Sequence, residues 1–158
     1  MARSITLSVL AFLSVLLHVM VVSAALKPGT YFIHNEHGPL AVGPVPLIYP
    51  PPDVPVRIMS GFTERWTVAK NADGHYTISA YGGYKIADKK KGSVFVSHVM
   101  PALAMAVESA GGNQYTISVP NEDRVFTYKA DDFLQVIFEP ADGSSAQKWS
   151  FMSAEREL

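Results

Sequence analysis

The chain has 158 residues, of which 48% are hydrophobic and 17% are charged, a composition typical of a globular protein. It contains no cysteine, which excludes a disulfide scaffold, a cysteine nucleophile and a thiolate metal site. The formal net charge is −1 and no basic face is evident, which argues against nucleic-acid binding.

The first element in chain order is a predicted secretory signal peptide, residues 1–24. Arg3 precedes an almost unbroken apolar run from Ile5 to Val22, and small residues follow the run. These are the three features of a secretory signal, and cleavage after Ala24 leaves 134 residues with a net charge of −2. The apolar run is long for a signal, so a retained membrane anchor is the alternative. We expect a secreted protein that has no membrane partner after cleavage.

Residues 25–158 contain three related units of roughly 40 residues, and such repetition is typical of folds built from similar lobes. GTYFI at 29–33 is similar to HYTI at 75–78 and to QYTI at 114–117. ERWTV at 64–68 is similar to QKWSF at 147–151. The second unit has Met105 where its tryptophan is expected, so this signature has decayed there.

Each unit is predicted to form four short strands. Alternating segments rich in Tyr, Val, Ile, Phe and Thr lie at 31–35, 65–70, 76–80, 93–97, 115–119 and 125–129, bounded by turn residues. The segment 103–110 fits the eighth strand better than a helix. Twelve strands in three units predict an all-β fold, a β-trefoil over residues 25–158, in which a six-stranded barrel is capped by three hairpins.

Catalytic and metal-binding patterns are absent from the sequence. No nucleophile elbow, zinc-protease motif or phosphate-binding loop occurs. His34 and His37 are three residues apart without a third ligand nearby, which is typical of an ordinary turn. The adjacent acidic pairs at 122–123 and 131–132 are typical of solvated turns. We therefore expect no enzyme activity, no cofactor and no metal.

The most unusual segment is the loop at 43–56, GPVPLIYPPPDVPV, with six prolines. Proline fixes φ, so the loop is predicted to be stiff and extended although it has no sheet partner. One interpretation is a loop wrapped on the barrel wall. The other is a preorganised segment that offers Leu47, Ile48 and Tyr49 to the peptide-binding groove of another protein, with little ordering entropy lost on binding.

Two further loops are candidates for contact with a partner. Lys89, Lys90 and Lys91 form a basic turn between the predicted sixth and seventh strands. Such turns are usually solvated, but a lysine also suits a trypsin-like pocket, which needs a cation before the scissile bond. The turn at 139–146 lies between the predicted eleventh and twelfth strands and contains no basic residue.

The signatures GTYFIHN, ERWTVAKNADGHYTISA and QKWSF resemble the fungal β-trefoil serine-protease inhibitors of mushrooms, and the resemblance spans residues 26–151. It implies a monomer that inhibits trypsin- or chymotrypsin-like proteases through one exposed loop, often the second-to-third or eleventh-to-twelfth strand connection. Apart from Arg57, neither loop holds a basic residue. Leu47 or Tyr49 therefore favours a chymotrypsin- or elastase-like target, although Pro50 makes the bond after Tyr49 a poor one to cleave.

Two other functions stay open at this level, beside a structural or storage role. The Glu-x-Trp at 64–66 and the Gln-x-Trp at 147–149 are similar to the Gln-x-Trp repeats of ricin-type lectins, which would make the protein a carbohydrate-binding module. The second unit lacks this element, however. A cysteine-protease inhibitor is the third possibility, since related mushroom trefoils block papain-like enzymes through other loops.

Overall fold

The computed structural model describes residues 25–88, 92–130, 133 and 135–155. The predicted signal peptide at 1–24, the lysine turn at 89–91 and the acidic pair at 131–132 lie outside the described residues. Within the described part, no helix has the length and apolarity needed to cross a bilayer. The helical structure described consists of the two 3₁₀ turns Tyr81–Gly83 and Ser145–Gln147.

The described residues form thirteen strands, so the all-β prediction is confirmed. They are β1 (Gly29–Asn35), β2 (Gly38–Ala41), β3 (Val54–Pro55), β4 (Arg57–Ile58), β5 (Trp66–Lys70), β6 (Tyr76–Ser79), β7 (Lys85–Ala87), β8 (Phe95–Ser97), β9 (Ala106–Gly111), β10 (Gln114–Ser118), β11 (Val125–Lys129), β12 (Gln135–Glu139) and β13 (Trp149–Ser153).

Six of these strands pair in a closed ring. β1 pairs with β13 and β5, and β5 pairs with β6. An antiparallel bridge between Tyr76 and Met105 joins β6 to the start of β9. β9 pairs with β10, and β10 returns to β13. Closure leaves these strands without a free hydrogen-bonding edge on which another chain could add.

The interior of the ring is filled by the residues that the repeats predicted. Ile33, Ile78 and Ile117 come from the three repeated segments and are at most 1% exposed. Trp66 and Trp149 are fully buried beside them. Because side chains alternate between the two faces of a strand, the period-two pattern places these apolar residues on one face, toward the core.

The other strands form three hairpins at one end of the ring. β2 pairs with β4, β7 with β8, and β11 with β12. Each hairpin also contacts the other two, because β3 pairs with β8, β4 pairs with β12, and Ser93 bridges Ile137. The hairpins therefore cover the ring as a connected triangle.

A cyclic set of hydrogen bonds joins the three hairpins and corrects the predicted strand count. Val56 N–H donates to Val94 O, Val94 N–H to Val136 O, and Val136 N–H to Val56 O, each at 3.0 Å. All three valines are 0% exposed. Both backbone groups of Val56 are used in this valine ring instead of a strand ladder, so β3 and β4 are separate strands. The pairing of β3 with β8 also corrects the prediction for the segment 43–56, which was expected to have no sheet partner. Thirteen strands result where the sequence predicted twelve.

The decayed tryptophan of the second unit is compensated by the backbone. Trp66 Nε1–H donates to Leu40 O at 2.9 Å, and Trp149 Nε1–H donates to Phe126 O at 3.1 Å. Met105 has no such donor, and in the second unit the N–H of Leu103 donates to Ile86 O at 2.8 Å. A buried carbonyl needs a hydrogen-bond donor. In the second unit a backbone N–H is that donor, whereas in the other two units the donor is the indole N–H of tryptophan.

Candidate functional site

The segment between β2 and β3, residues 42–53, is called the proline loop here. It presents three consecutive large apolar side chains to solvent: Leu47 is 104% exposed, Ile48 61% and Tyr49 96%. Single exposed apolar residues are common on protein surfaces, but adjacent ones on one loop form a contiguous apolar surface of the kind found at interaction sites.

Local contacts fix the shape of the proline loop. Val42 is buried in the core, and half-buried Val45 packs against it. Ile48 N–H donates to Pro46 O at 3.0 Å, a three-residue turn around Leu47, and the Tyr49–Pro50 peptide is cis. Gly43 has a φ of +74°, and a Cβ there would lie 2.9 Å from Met59 Sδ. Only glycine fits this entry to the loop without strain.

A cavity of about 450 Å³ opens beside the proline loop. Its walls are mostly apolar and come from the loop, from the β4–β5 connection, from the β6–β7 turn and from the segment after β8: Val42, Gly43, Val45, Pro46, Leu47, Ile48, Pro51, Glu64, Ala80, Tyr81, Gly82, Tyr84 and His98. The rings of Tyr84 and His98 are in contact, with centroids 4.0 Å apart. Tyr81, 89% exposed, adds a further apolar side chain near Leu47.

The structure separates Arg57 from the other candidate residues. Arg57 lies in β4, where its backbone pairs with Ala41 and Gln135, and it is half-buried. Its Nε is buried without a hydrogen-bond partner among the described residues. The structure thus brings Leu47, Ile48 and Tyr49 together on one exposed loop and places Arg57 in the hairpin layer. Lys89, Lys90 and Lys91 lie outside the described residues.

The turn between β12 and β13 is held by a buried amide. Gln147, 1% exposed, accepts from Asp142 N–H at 2.9 Å and donates from Nε2 to Pro140 O at 2.8 Å and to Thr127 Oγ1 at 3.0 Å. The Ser144 N–H donates to Asp142 Oδ1 at 2.8 Å and holds the pKa of that carboxyl below its ordinary value. This turn is rigid, but it presents no exposed large apolar side chain.

The residues of the lectin-like pattern are used inside the protein. Trp66 and Trp149 are 0% exposed and cannot stack on a sugar in this conformation. The side-chain amide of Gln147 is engaged in the hydrogen bonds that hold the turn between β12 and β13. Only Glu64 of this pattern reaches a surface, at the cavity beside the proline loop.

The prediction of an ordinary turn holds for His37 but not for His34, which lies in β1 and pairs with Pro39 and Ser150. His37 stacks on Tyr128 with ring centroids 4.4 Å apart, and its Nε2 lies 3.2 Å from Glu36 Oε1. Across residues 25–88, 92–130, 133 and 135–155, no group of three His, Asp or Glu side chains could hold a metal ion.

Sequence reasoning missed the second wall of the cavity. Tyr81, Tyr84 and His98 lie in turns and strand ends that carry no periodic pattern, and they meet the proline loop only through the tertiary fold. The Tyr-Gly-Gly at 81–83 could have signalled an exposed turn with an aromatic residue. It could not have indicated what that residue faces.

A polar cleft of about 500 Å³ lies elsewhere on the surface, beside β9 and the β10–β11 connection. It is lined by His75, Ala106, Glu108, Ser118, Val119, Pro120, Asn121, Glu122 and Asp123. Part of this lining is already engaged. Glu122 pairs with Arg124, whose Nη1 is 3.0 Å from Oε2, and Asp123 accepts from Ala141 N–H at 2.8 Å.

No family model matches the chain, and no curated protein matches it in sequence. Solved structures do match. A proteinase inhibitor from Coprinopsis cinerea superposes with a TM-score of 0.65 at 20% identity, over 82% of this chain and 99% of that one. A Macrolepiota procera ricin B-like lectin in complex with lactose gives 0.62 at 14%, over 81% and 98%. ThreeFoil, a designed three-fold symmetric protein, gives 0.64 at 16%, over 79% and 99%.

These similarities concern the fold. The matched proteins are β-trefoils, and the closed ring with three connected hairpins is consistent with that fold, although the strand count differs from twelve. An inhibitor and a lectin superpose about equally well, so the superpositions do not separate the two functions. No enzyme is among the three structures compared above.

Proposed function

We propose that the protein is a serine-protease inhibitor of the mushroom β-trefoil type and that the proline loop occupies the active-site cleft of the target. The observation that carries the proposal is the run of Leu47, Ile48 and Tyr49, each exposed, on a loop stiffened by prolines. The superposition with a proteinase inhibitor supports it.

The mechanism depends on a loop that is already shaped before binding. Val45 and the turn at Leu47 hold the backbone, so little ordering entropy is lost when the protease groove closes around it. One apolar anchor, Leu47 or Tyr49, fills the specificity pocket, and main-chain groups bond to the groove as an extended peptide does. Because the proline loop contains no basic side chain, the target is a chymotrypsin- or elastase-like enzyme.

The test is a titration of the protein without residues 1–24 against chymotrypsin, elastase, subtilisin and trypsin, with papain as the cysteine-protease arm. Leu47→Ala and Tyr49→Ala should fold normally, because both side chains are almost fully exposed. Replacement of the anchor should weaken inhibition at least about 30-fold, the effect of losing a hot spot worth about 2 kcal/mol. Val99→Ala, another exposed apolar residue outside the loop, is the matched control.

Each outcome discriminates between assignments. If no serine protease is inhibited, the function is wrong, and inhibition of papain alone would move the protein to the cysteine-protease class. If inhibition occurs but both loop variants retain it, the loop assignment is wrong. Lys90→Ala then tests the lysine turn, and a loss of trypsin inhibition in that variant would identify Lys90 as the contact.

Carbohydrate binding is the second candidate, and the polar cleft is the observation that favours it. Its lining of Glu108, Ser118 and Asn121 offers hydrogen-bonding groups, and the lectin superposition supports it. A glycan array with the same protein separates this function from inhibition. We further propose that the protein is secreted after removal of residues 1–24, which N-terminal sequencing of the expressed protein tests.

A further inference from the structure

We propose that the cavity beside the proline loop binds a small aromatic ammonium compound. The volume of about 450 Å³ is within the range of roughly 300–1,000 Å³ found for small-molecule sites. Leu47 and Ile48 line this cavity as well as the exposed tip of the loop, but the inference does not depend on protease inhibition, because its test contains no protease.

The walls of the cavity suit a flat apolar ring. Pro46 and Pro51 contribute rigid apolar surfaces from the loop side. Tyr81, Tyr84 and His98 contribute aromatic surfaces from the opposite side, with Tyr84 and His98 already in ring contact at 4.0 Å. An aromatic ring between such surfaces gains apolar burial together with edge or offset ring contacts.

Glu64 gives the cavity its charge preference. It is the only carboxylate in the lining, it is half-buried, and it makes no ion pair or hydrogen bond with any residue that the structure describes. It also precedes Trp66 by two residues, and that tryptophan is anchored in the core by its bond to Leu40 O. Among the described residues, the carboxylate is therefore an unpaired negative charge at an apolar site.

A carboxylate beside tyrosine rings favours an organic cation over a neutral or anionic molecule. The ammonium group would pair with Glu64 by a charge-assisted hydrogen bond and could lie against a tyrosine face, where the ring quadrupole attracts a cation. An anionic aromatic compound of the same shape would meet the Glu64 charge and be repelled. The charge of Glu64 thus favours a cationic ligand, and the aromatic walls favour a ligand with a flat aromatic ring.

The test is an NMR titration of ¹⁵N-labelled protein with three indoles of similar shape: tryptamine, tryptophol and indole-3-acetate. Tryptamine should shift the amide signals of Ala80, Gly82 and Tyr84. Its affinity should exceed that of neutral tryptophol by about fivefold, the size of effect expected for a partly exposed ion pair. Indole-3-acetate should bind most weakly.

Variants at Glu64 isolate the charge. Glu64→Gln keeps the shape and should bring tryptamine and tryptophol to within about twofold of each other, while Glu64→Lys should reverse the order in favour of indole-3-acetate. Ala80→Leu narrows the cavity and should abolish all three titrations, with the thermal melt reporting that the variant is folded. Val99→Ala should change nothing.

Three results would overturn the proposal: no shifts at the cavity amides, shifts centred on another surface, or equal affinities for the three indoles in the unchanged protein. No protease is present in these titrations. A failure of the inhibitor assignment therefore leaves their outcome unaffected, and the two proposals can fail separately.

Discussion

Replacement of Trp149 by phenylalanine tests how the barrel is held together. The side chain is 0% exposed, its Nε1–H donates to Phe126 O at 3.1 Å, and its ring meets the Phe126 ring edge-on with centroids 6.4 Å apart. Trp149→Phe removes the donor and leaves a void where the larger ring was. Loss of the bond to a buried carbonyl costs about 1–3 kcal/mol, and the void adds to it. We expect a total of about 2–4 kcal/mol.

The assay is urea unfolding followed by far-ultraviolet circular dichroism, with the protein lacking residues 1–24. Met105→Leu is the matched control, because Met105 occupies the corresponding place in the second unit, is equally buried and donates no side-chain hydrogen bond. A volume-conserving exchange there should cost less than about 1.5 kcal/mol. Trp66→Phe, which loses the bond to Leu40 O, should match Trp149→Phe.

The reasoning is refuted if Trp149→Phe costs no more than Met105→Leu. In that case the indole bond contributes nothing measurable, and packing alone accounts for the stability of the first and third units. A large effect at Trp149 without one at Trp66 would show instead that the two units are not energetically equivalent, despite their similar hydrogen bonds.

Three further predictions concern polar contacts. Gln147→Leu removes three hydrogen bonds and should lower the free energy of unfolding by about 2–3 kcal/mol, with faster amide exchange at Asp142. Arg124→Lys should cost about 1–2 kcal/mol in urea unfolding, because lysine cannot replace the two bonds of 2.6 and 2.9 Å to Asp88, which also raise the pKa of Arg124. An NMR titration should give Asp142 a pKa below 3.8, and Ser144→Pro, which removes the donor at a compatible φ of −66°, should raise it. The stability linked to this lowered pKa is present above about pH 4 and is lost as the pH falls through the folded-state pKa.

Much of the fold could be predicted from the sequence because the core residues repeat. The segments around Tyr31, Tyr76 and Tyr115 all form strands of the closed ring, and 125–129 has the predicted bounds. The separation of β3 from β4 at Val56 could not be predicted. It results from hydrogen bonds to two other hairpins, and no local pattern reports such contacts.

The candidate site could be predicted only in part. Six prolines made the segment 43–56 conspicuous, and the structure places Leu47 and Tyr49 almost fully in solvent. The sequence had no means of indicating that Arg57 belongs to a strand, since one residue beyond a proline run can continue a loop or begin pairing. The cavity depends on segments distant along the chain, and neither Tyr81 nor His98 is marked by its neighbours.

The valine ring has a consequence for how the molecule can be divided. Each of Val56, Val94 and Val136 gives its N–H to one neighbour and receives another at its carbonyl, so the circuit is complete only when all three are present. Removal of any one lobe would leave an unpaired N–H on one of the two remaining valines and an unpaired carbonyl on the other. The three lobes therefore depend on one another for stability, and a fragment of one or two lobes lacks the closure on which the shape of its loops depends.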